Sequence, residues 1–416
     1  MYNFISSVEK SRFDKFVLDS ALASFFSLSV RKELKEVDER FEGFLVGMED
    51  DKKELVAVAQ LLYMPAKKFK NMWITYGPIV DYKNKILLKK FIFEIDKFCK
   101  SMKIDAVNIE PPFVISKYDN KLNQIYEVDY DINKEFRDNG YEYLGTKDIL
   151  GNYQLRCTSI INLTLDEEEL LNKMSSSKRG YLSKNSKYYN VRIVEGDIED
   201  LKYLIKYRNQ LSEKKDFFVE PLSYYETFYE FVNKEHRAKI VKVIMNLDEA
   251  INNINSDIRE IETKVETARE KEKPVLKNQI TSLIKRVTEL EVYKEKNSCE
   301  GDYVIGCALR IYVKDTMVNM FAHIDKDLTN IGATNVLVYN MMIEAKKDGY
   351  KYNDLYGLPN PFDKENRDYS LATFKLEFGG DVVEYIGAFR KVINKKKYFV
   401  FNIFDNFKKI INKIRS

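Results

Sequence analysis

The stretch INNINSDIREIETKVETAREKEKPVLKNQITSLIKRVTELEVYKEKN, residues 251–297, carries the clearest structural pattern of the chain. Apolar residues recur in alternating steps of three and four from Ile251 to Ala268, and the same stepping resumes from Leu276 to Leu290. This spacing places the apolar side chains in one narrow seam on each of two helices. Pro274 stands between the runs, where it suits the first turn of a second helix but not the interior of a continuous one.

We therefore interpret residues 246–299 as an antiparallel coiled-coil hairpin, an arm on the order of 35 Å long at the helical rise per residue. Two ordinary amphipathic helices packed on the body of the protein would also give this pattern, and that alternative stays open. Strand-like sequence lies on both sides of the arm, KIVKVIM at 239–245 and DYVIGCAL at 302–309. The arm is therefore predicted to be inserted into a sheet-containing module.

Outward from the arm, strand-like and helix-like segments alternate, and the pattern restarts near residue 160. The sequence predicts a mixed α/β (α+β) fold with two modules in series. We expect the following boundaries: module 1 at 1–158, module 2 at 159–245 and 300–395, the arm at 246–299 and a C-terminal helix at 396–416.

Composition and motifs exclude several classes of protein. With 68 Lys and Arg against 65 Asp and Glu, any polyanion site must be a local patch. The N-terminus lacks the pattern of a signal peptide, no apolar stretch approaches the roughly 20 residues that span a bilayer, and no C-x-x-C pair occurs. We therefore expect a cytoplasmic protein with reduced cysteines. Phosphate-binding loop, dinucleotide-binding, serine-hydrolase and zinc-protease motifs are missing from the sequence. Acyl transfer from an activated ester to an amine stays compatible, because it needs little catalytic apparatus.

Two segments concentrate residues that could take part in chemistry. Residues 173–192 hold six basic residues and no acid, with Ser175–Ser177 suited to cap a helix and tyrosines suited to stack on bases. A solvated basic helix face is the alternative. Residues 354–380 surround Lys375 with Gly, Pro and aromatic residues, a setting in which a lysine stabilises negative charge, although a structural lysine is the alternative.

The order of several segments resembles the FemABX family of peptidoglycan interpeptide-bridge aminoacyltransferases, in particular its FemA- and FemB-like branch with a helical arm. The resemblance covers essentially the whole chain. Its motifs are Glu33-Leu34-Lys35, Gly77-Pro78-Ile-Val-Asp81-Tyr82, the basic run around Arg179, the hairpin, Asp354-Leu-Tyr-Gly357, Phe374-Lys375-Leu-Glu-Phe378 and Val383-Glu384-Tyr385-Ile-Gly387. It implies two tandem GNAT-like acyltransferase modules.

The resemblance also implies site residues. Phe374 and Lys375 match the pair at the acyl-transfer centre, so we expect them to be catalytic and expect Lys375→Ala or Lys375→Met to lower turnover a hundredfold or more with the fold intact. Lys35 matches a lysine that contacts the phosphates of the precursor. The other substrate-binding candidates lie in or align with matching motifs, and they are Arg179, Lys178, Tyr225, Glu110 and Asp81. Glu110 stands where relatives carry Asp, a carboxylate that was considered as a base.

The implied reaction transfers an amino acid from aminoacyl-tRNA to the free amine of the stem peptide of a peptidoglycan precursor, or to a growing bridge. The precursor is lipid II or UDP-MurNAc-pentapeptide, no cofactor is expected, and peripheral contact with the inner face of the plasma membrane and a homodimer stay open. Acetyltransferase relatives bind a pyrophosphate on an R-x-x-G-x-G/A loop, which Asn330-Ile-Gly-Ala does not match. Two alternatives remain: a non-catalytic RNA- or partner-binding protein, and an aminoacyl-tRNA-protein transferase.

Overall fold

The computed structural model describes residues 2–146, 155–215 and 218–401. Its strands, in chain order, are β1 (Asn3–Ile5), β2 (Glu42–Glu49), β3 (Leu55–Tyr63), β4 (Asn71–Thr75), β5 (Ile79–Val80), β6 (Ala106–Glu110), β7 (Val114–Tyr118), β8 (Gln124–Glu127), β9 (Glu142–Gly145), β10 (Cys157–Asn162), β11 (Arg192–Glu195), β12 (Ala238–Asn246), β13 (Asp302–Val313), β14 (Thr316–Ile324), β15 (Tyr352–Asp354), β16 (Asp381–Tyr385) and β17 (Ala388–Val392).

The α-helices within the same residues alternate with these strands. They are α1 (Lys10–Asp19), α2 (Ser29–Glu36), α3 (Lys85–Ser101), α4 (Ile132–Asp138), α5 (Glu167–Lys173), α6 (Ser176–Lys184), α7 (Leu201–Lys215), α8 (Leu222–Asn233), α9 (Leu247–Thr267), α10 (Lys273–Asn297), α11 (Ala333–Lys347) and α12 (Tyr369–Leu376). No helix in this described part of the chain is both long enough and apolar enough to cross a bilayer.

The first sheet has the strand order β1-β2-β3-β4-β6-β17-β9, with β5 paired to β3. Strands β4 and β6 run parallel, from the pair Asn71 and Ala106 to the pair Thr75 and Glu110. Helix α3 connects them and buries an apolar face that includes Leu88 and Phe91, because its apolar residues return at steps of three and four. The carboxyl ends of this parallel pair face the candidate site.

The second sheet has the order β11-β12-β13-β14-β15-β10-β16-β7-β8. Strands β14 and β15 are parallel and are paired only from Thr316–Tyr352 to Val318–Asp354. Beyond this point β14 continues beside β13, whereas the chain after β15 turns to β10, where Leu355 N donates to Ser159 O at 2.9 Å. The two strands therefore separate, and their divergence opens a cleft in the sheet.

The predicted mixed α/β fold class is confirmed, but the sheets do not follow the division of the chain predicted at residue 158. Strands β7 and β8 precede that residue and pair within the second sheet, and β17, near the C-terminus, pairs within the first. Strand partners are chosen by register and by the buried face, not by order in the chain. A shared apolar cluster also joins the two sheets, with Phe13 and Val58 from one side and Tyr225 and Leu309 from the other.

The helical pair of the arm is present as predicted. Helices α9 and α10 pack through the predicted seam, with Ile254, Ile258, Val287 and Leu290 buried, and Lys294 of one helix pairs with Asp248 of the other. Supercoiling of the pair stays a prediction. The alternative, packing on the body, also holds at the base of the arm.

The contact between arm and body centres on Asp257 of α9. Its carboxylate accepts hydrogen bonds from Lys187 Nζ and Tyr188 Oη, both at 2.6 Å. Asn253 Nδ2, one turn earlier, donates to Tyr188 O at 3.2 Å. The basic segment is thus tied to the base of the arm.

Candidate active site

Lys375 lies near the end of α12, where its side chain reaches the divergence of β14 and β15. Its Nζ donates to Leu355 O and Gly357 O, each at 2.9 Å, and to Tyr356 O. Burial lowers the pKa of Lys375 to about 8, and Asp354 opposes that shift. The lysine is therefore a buried ammonium at the separated strand ends.

This cage of carbonyl oxygens uses all three N–H groups of the ammonium. In the observed geometry, a direct hydrogen bond from Lys375 to any other acceptor would require it to release one carbonyl. The same contacts give the side chain a structural role. The catalytic role of this lysine stays a prediction beside that structural one.

A cavity of about 550 Å³ opens at Lys375. One wall is formed by the end of β14, from Asn319 to His323, and another by the chain after β15. Phe374 lines it as well, so the structure brings the two predicted catalytic residues together at this cavity. Residues from the first sheet complete the lining, which places the site between the sheets.

A second cavity of about 500 Å³ adjoins the first across an aromatic wall. Phe26 stacks on Tyr76 with ring centroids 4.8 Å apart and on Tyr356 at 5.4 Å. These three residues line both cavities. Asp354 lines the second cavity, where burial raises the pKa of its carboxyl and Thr158 donates a hydrogen bond to it.

Helix α2 supplies a cation that the sequence analysis missed. Arg31 lines the first cavity, and its Nη1 donates to Phe26 O at 3.3 Å. Lys35 follows one turn later and therefore lies on the same helix face. Burial lowers the pKa of Lys35, and the charge of Arg31 adds to this effect. The spacing of four residues is the sequence signal that could have identified Arg31 from Lys35.

Glu110 is fully buried at the carboxyl end of β6. Its charge raises the pKa of Arg31 against the larger effect of burial. A side chain with no accessible surface does not meet a substrate in this conformation, so the geometry does not favour Glu110 as a general base.

Arg208 of α7 is a second cation of the cavity that the sequence analysis missed. Its Nη1 donates to His323 Nε2 at 3.1 Å. Burial and the nearby guanidinium lower the pKa of His323 to about 3, so this histidine is neutral and its Nε2 is already occupied. Tyr225 is buried behind these groups, with its ring 5.1 Å from that of Phe321, and supports the cavity wall without lining it.

Lys178 supports Phe374 from behind. Its Nζ lies 3.7 Å from the centroid of the Phe374 ring and 3.2 Å from a carboxylate oxygen of Glu377. The side chain is almost fully buried, and this burial lowers its pKa. Lys178 therefore joins α6 to α12 and positions Phe374, whereas the sequence analysis expected it to bind substrate.

The rest of the basic segment is mostly exposed, makes local contacts and does not line the cavity, so a polyanion site there stays a prediction. Ser175 caps α6 as predicted, accepting from Lys178 N at 3.2 Å. Arg179 Nη1 donates to Leu171 O and Met174 O and does not line the cavity. Tyr188 and Tyr189 are buried and cannot stack on a base.

Asp81 lies apart from the cavity in an exposed turn. Its Oδ1 accepts from Lys83 N at 2.9 Å and its carbonyl from Asn84 N at 3.1 Å, directly before α3. This arrangement is a common use of aspartate at the start of a helix. The structure therefore does not bring Asp81 together with the other predicted site residues.

The N-terminus of α11 is covered by an aromatic ring. Gly332 precedes the helix with φ +80°, and a Cβ atom there would lie 2.2 Å from Tyr181 Cδ1. Acetyltransferases with an acyl-CoA donor use a loop of this kind to bind pyrophosphate, according to the resemblance described above. Here Tyr181 occupies the space against the loop.

Comparisons with known proteins agree with the family resemblance described for the sequence. A family model described as the FemAB family matches residues 8–406. Aminoacyltransferase FemA of Staphylococcus epidermidis is 24% identical over 425 aligned residues, covering 97% of this chain and 99% of the relative. Lipid II:glycine glycyltransferase of Staphylococcus aureus is 25% identical over 360 residues, 83% of each chain.

A solved structure supports the fold. The crystal structure of FemX superimposes with a TM-score of 0.74 at 21% identity, over 96% of this chain and 99% of the other. The sequence matches and this superposition agree over almost the full length. The protein is a transferase and belongs to the FemAB family.

Proposed function

We propose that this protein transfers an amino acid from aminoacyl-tRNA to a free amine of a peptidoglycan precursor, either on the stem peptide or on a growing bridge. The observation that carries the proposal is the buried ammonium of Lys375 at the separated ends of β14 and β15, facing a cavity. Relatives along the whole chain carry the names of aminoacyl and glycyl transferases, which supports the same reaction class.

The proposed chemistry is aminolysis of an ester. The nitrogen lone pair of the acceptor attacks the ester carbonyl, a C–N bond forms, and negative charge develops on the carbonyl oxygen. The C–O bond then breaks, the ribose oxygen takes a proton released by the nitrogen, and an amide remains. Holding the reactants in line contributes up to about 7–11 kcal/mol in favourable cases, and the ammonium of Lys375 stabilises the developing charge.

Two features support a phosphate-bearing acceptor. Arg31 and Arg208 line the cavity, and Lys35 lies one turn beyond Arg31 on α2. Arginine matches phosphate oxygens with paired N–H donors. The adjoining cavities give room for two reactants that meet near Lys375. The reaction would take place in the cytoplasm, at the inner face of the plasma membrane.

For the tRNA, the arm offers one basic helix. Helix α10 carries six basic and three acidic residues, whereas α9 carries two basic and six acidic ones. Since tRNA is a polyanion, we expect α10 and not α9 to contact it. The ring of Tyr181 against Gly332 favours this donor over an acyl-CoA.

A transfer assay tests the proposal against both alternatives. The purified protein is incubated with tRNA charged with radiolabelled amino acids and with either a muramyl-pentapeptide precursor or a protein acceptor. We expect label on the muramyl peptide. Label on the protein acceptor would indicate an aminoacyl-tRNA-protein transferase, and label on neither would indicate a binding role. A mixture of charged tRNAs would also identify the amino acid.

A further inference from the structure

A short helix follows β17 and is attached to the end of the first sheet. Its backbone is described from 395 to 401. Tyr398 and Phe401 pack on Phe69, with ring centroids 5.7 and 4.7 Å apart. Lys397 Nζ donates to Asp105 Oδ2 at 2.7 Å. One face of this helix is therefore fixed to the body of the protein.

The next two positions of the helix expose large apolar side chains. Phe399 is 68% exposed and Val400 is 51% exposed. They follow Tyr398 by one and two residues, which turns them roughly 100° and 200° around the helix axis from the docked face. The anchored helix thus presents an apolar edge outward from the protein.

Exposed lysines surround this edge. Lys67 and Lys68 precede Phe69, to which the helix is docked, and Lys395 and Lys396 form its first turn. Lys103 is also exposed and precedes the Asp105 turn that Lys397 contacts. Apolar side chains and ammonium groups therefore share one end of the first sheet.

The sequence beyond residue 401 continues both features. The apolar set is Ile403, Phe404, Phe407, Ile410, Ile411 and Ile414, and the charged set is Asp405, Lys408, Lys409, Lys413 and Arg415. These residues lie outside the described part, so the helix expected at 396–416 stays a prediction from residue 402 onward.

We propose that the exposed edge of the helix at 395–401, with Phe399 and Val400 and the lysines around them, docks the protein on the surface of an anionic lipid bilayer. A helix with an apolar face and a lysine-rich remainder is typical of segments that lie in the membrane interface, where lysines attract anionic headgroups. The lysines around the helix favour an anionic lipid surface as the partner. They do not favour a second copy of this chain, because its net charge of +3 has the same sign. The docking itself is independent of the catalytic assignment, and it deepens the proposed function only by favouring a lipid-linked acceptor.

Vesicle co-sedimentation of the full-length protein tests this surface. We expect binding to vesicles of phosphatidylglycerol and phosphatidylcholine, weaker binding at 0.5 M salt, and little binding to phosphatidylcholine alone. The double variant Phe399→Ser/Val400→Ser should lower the partition coefficient at least about tenfold, because two apolar groups leave the interface. Both side chains are exposed, so the variant keeps its fold, which circular dichroism checks.

Val275→Ser is the matched control, because Val275 is also 68% exposed but lies on the arm. It should bind vesicles as the unmodified protein does. Absence of binding to phosphatidylglycerol vesicles, or equal binding by the double variant, would overturn the proposal. Transfer to a soluble muramyl-peptide acceptor should be unchanged in the double variant, so loss of membrane binding and failure of the proposed reaction are separate outcomes.

Discussion

At the scale of single residues, Lys375 has a structural role in its carbonyl cage and a proposed catalytic role, which a variant can separate. Lys375→Met removes the ammonium, so we expect turnover to fall a hundredfold or more. It also leaves three carbonyl groups without their donor, so the free energy of unfolding should fall by about 2–4 kcal/mol while the fold stays intact. Single-turnover transfer and denaturant unfolding measure the two effects.

Lys346 provides the control for this variant. Its Nζ also donates to backbone carbonyls, Leu163 O at 2.9 Å and Leu165 O at 2.7 Å, but it does not line the cavity. Lys346→Met should therefore lose stability and keep its turnover at temperatures where it is folded. Near-normal turnover of Lys375→Met, or an equal loss in both variants, would remove Lys375 from the chemistry.

The lowered pKa of Lys375 predicts a break in the pH dependence of the reaction. An acceptor amine of ordinary pKa, about 10.4, becomes neutral as pH rises, so the rate increases with pH. Lys375 loses its charge above its pKa of about 8, which cancels the increase. We expect the logarithm of the single-turnover rate to rise with slope one and to level off near pH 8. A continuous rise to pH 10, after correction for ester hydrolysis, would contradict this.

The sequence identified part of the site for physical reasons. Phe374 and Lys375 lie in a short, distinctive segment that the resemblance places at the reaction centre. Arg31 could have been identified only from its spacing to Lys35, and Arg208 is one of several basic residues of α7, where nothing local separates a cavity-lining arginine from a solvated one. Tyr188 was predicted to stack on bases but is buried, and the sequence did not reveal this because its partner on α9, Asp257, lies 69 residues away.

At the scale of elements, the link between β16 and β17 depends on one glycine. Gly387 has φ +94°, and a Cβ there would lie 2.5 Å from Gly145 O. Gly387→Ala should therefore lower the free energy of unfolding by about 3 kcal/mol or more, since backbone atoms must move. Gly349→Ala is the control, with φ +87° but open space around the position, and should cost about 1–2 kcal/mol. Equal losses in urea titrations would contradict the close contact.

The charge difference between the helices of the arm predicts a tRNA-binding side. Lys277→Glu/Lys285→Glu on α10 should weaken the affinity for tRNA about tenfold near 0.1 M salt and leave turnover at saturating tRNA unchanged. Lys52→Glu/Lys89→Glu changes the net charge equally on exposed sites of the body and should have little effect. Filter binding measures both, and equal affinities would exclude α10.

The elements that the sequence predicted are those whose pattern is local. The seam of the arm and the helix α3 follow from apolar spacing alone. The exchange of β7, β8 and β17 between the sheets does not follow from apolar spacing, because pairing between strands more than 200 residues apart produces no local pattern in a single sequence. The sheets therefore take strands from both sides of the predicted boundary at residue 158, and the division into two modules stays a prediction.

At the scale of the whole molecule, the exchanged strands predict that the chain is not divisible. Fragments 1–150 and 151–416 each lack strands that complete their sheet, since β17 lies between β6 and β9 and β16 lies between β10 and β7. We expect neither fragment to show cooperative thermal unfolding on its own, whereas the full chain does. A cooperative transition for either isolated fragment, followed by near-ultraviolet circular dichroism, would show that one module folds independently.

The same two strands set the timing of folding during synthesis. A ribosome releases the chain from its N-terminus, so β6 and β9, and likewise β10 and β7, must wait without their shared neighbour until residues 381–392 emerge. Until then both sheets expose unpaired strand edges, which favour contacts with other chains. The strands at residues 381–392 therefore complete both sheets at nearly the same time. We expect a nascent chain that is stalled before residue 381 to bind chaperones, because both sheets still expose unpaired edges.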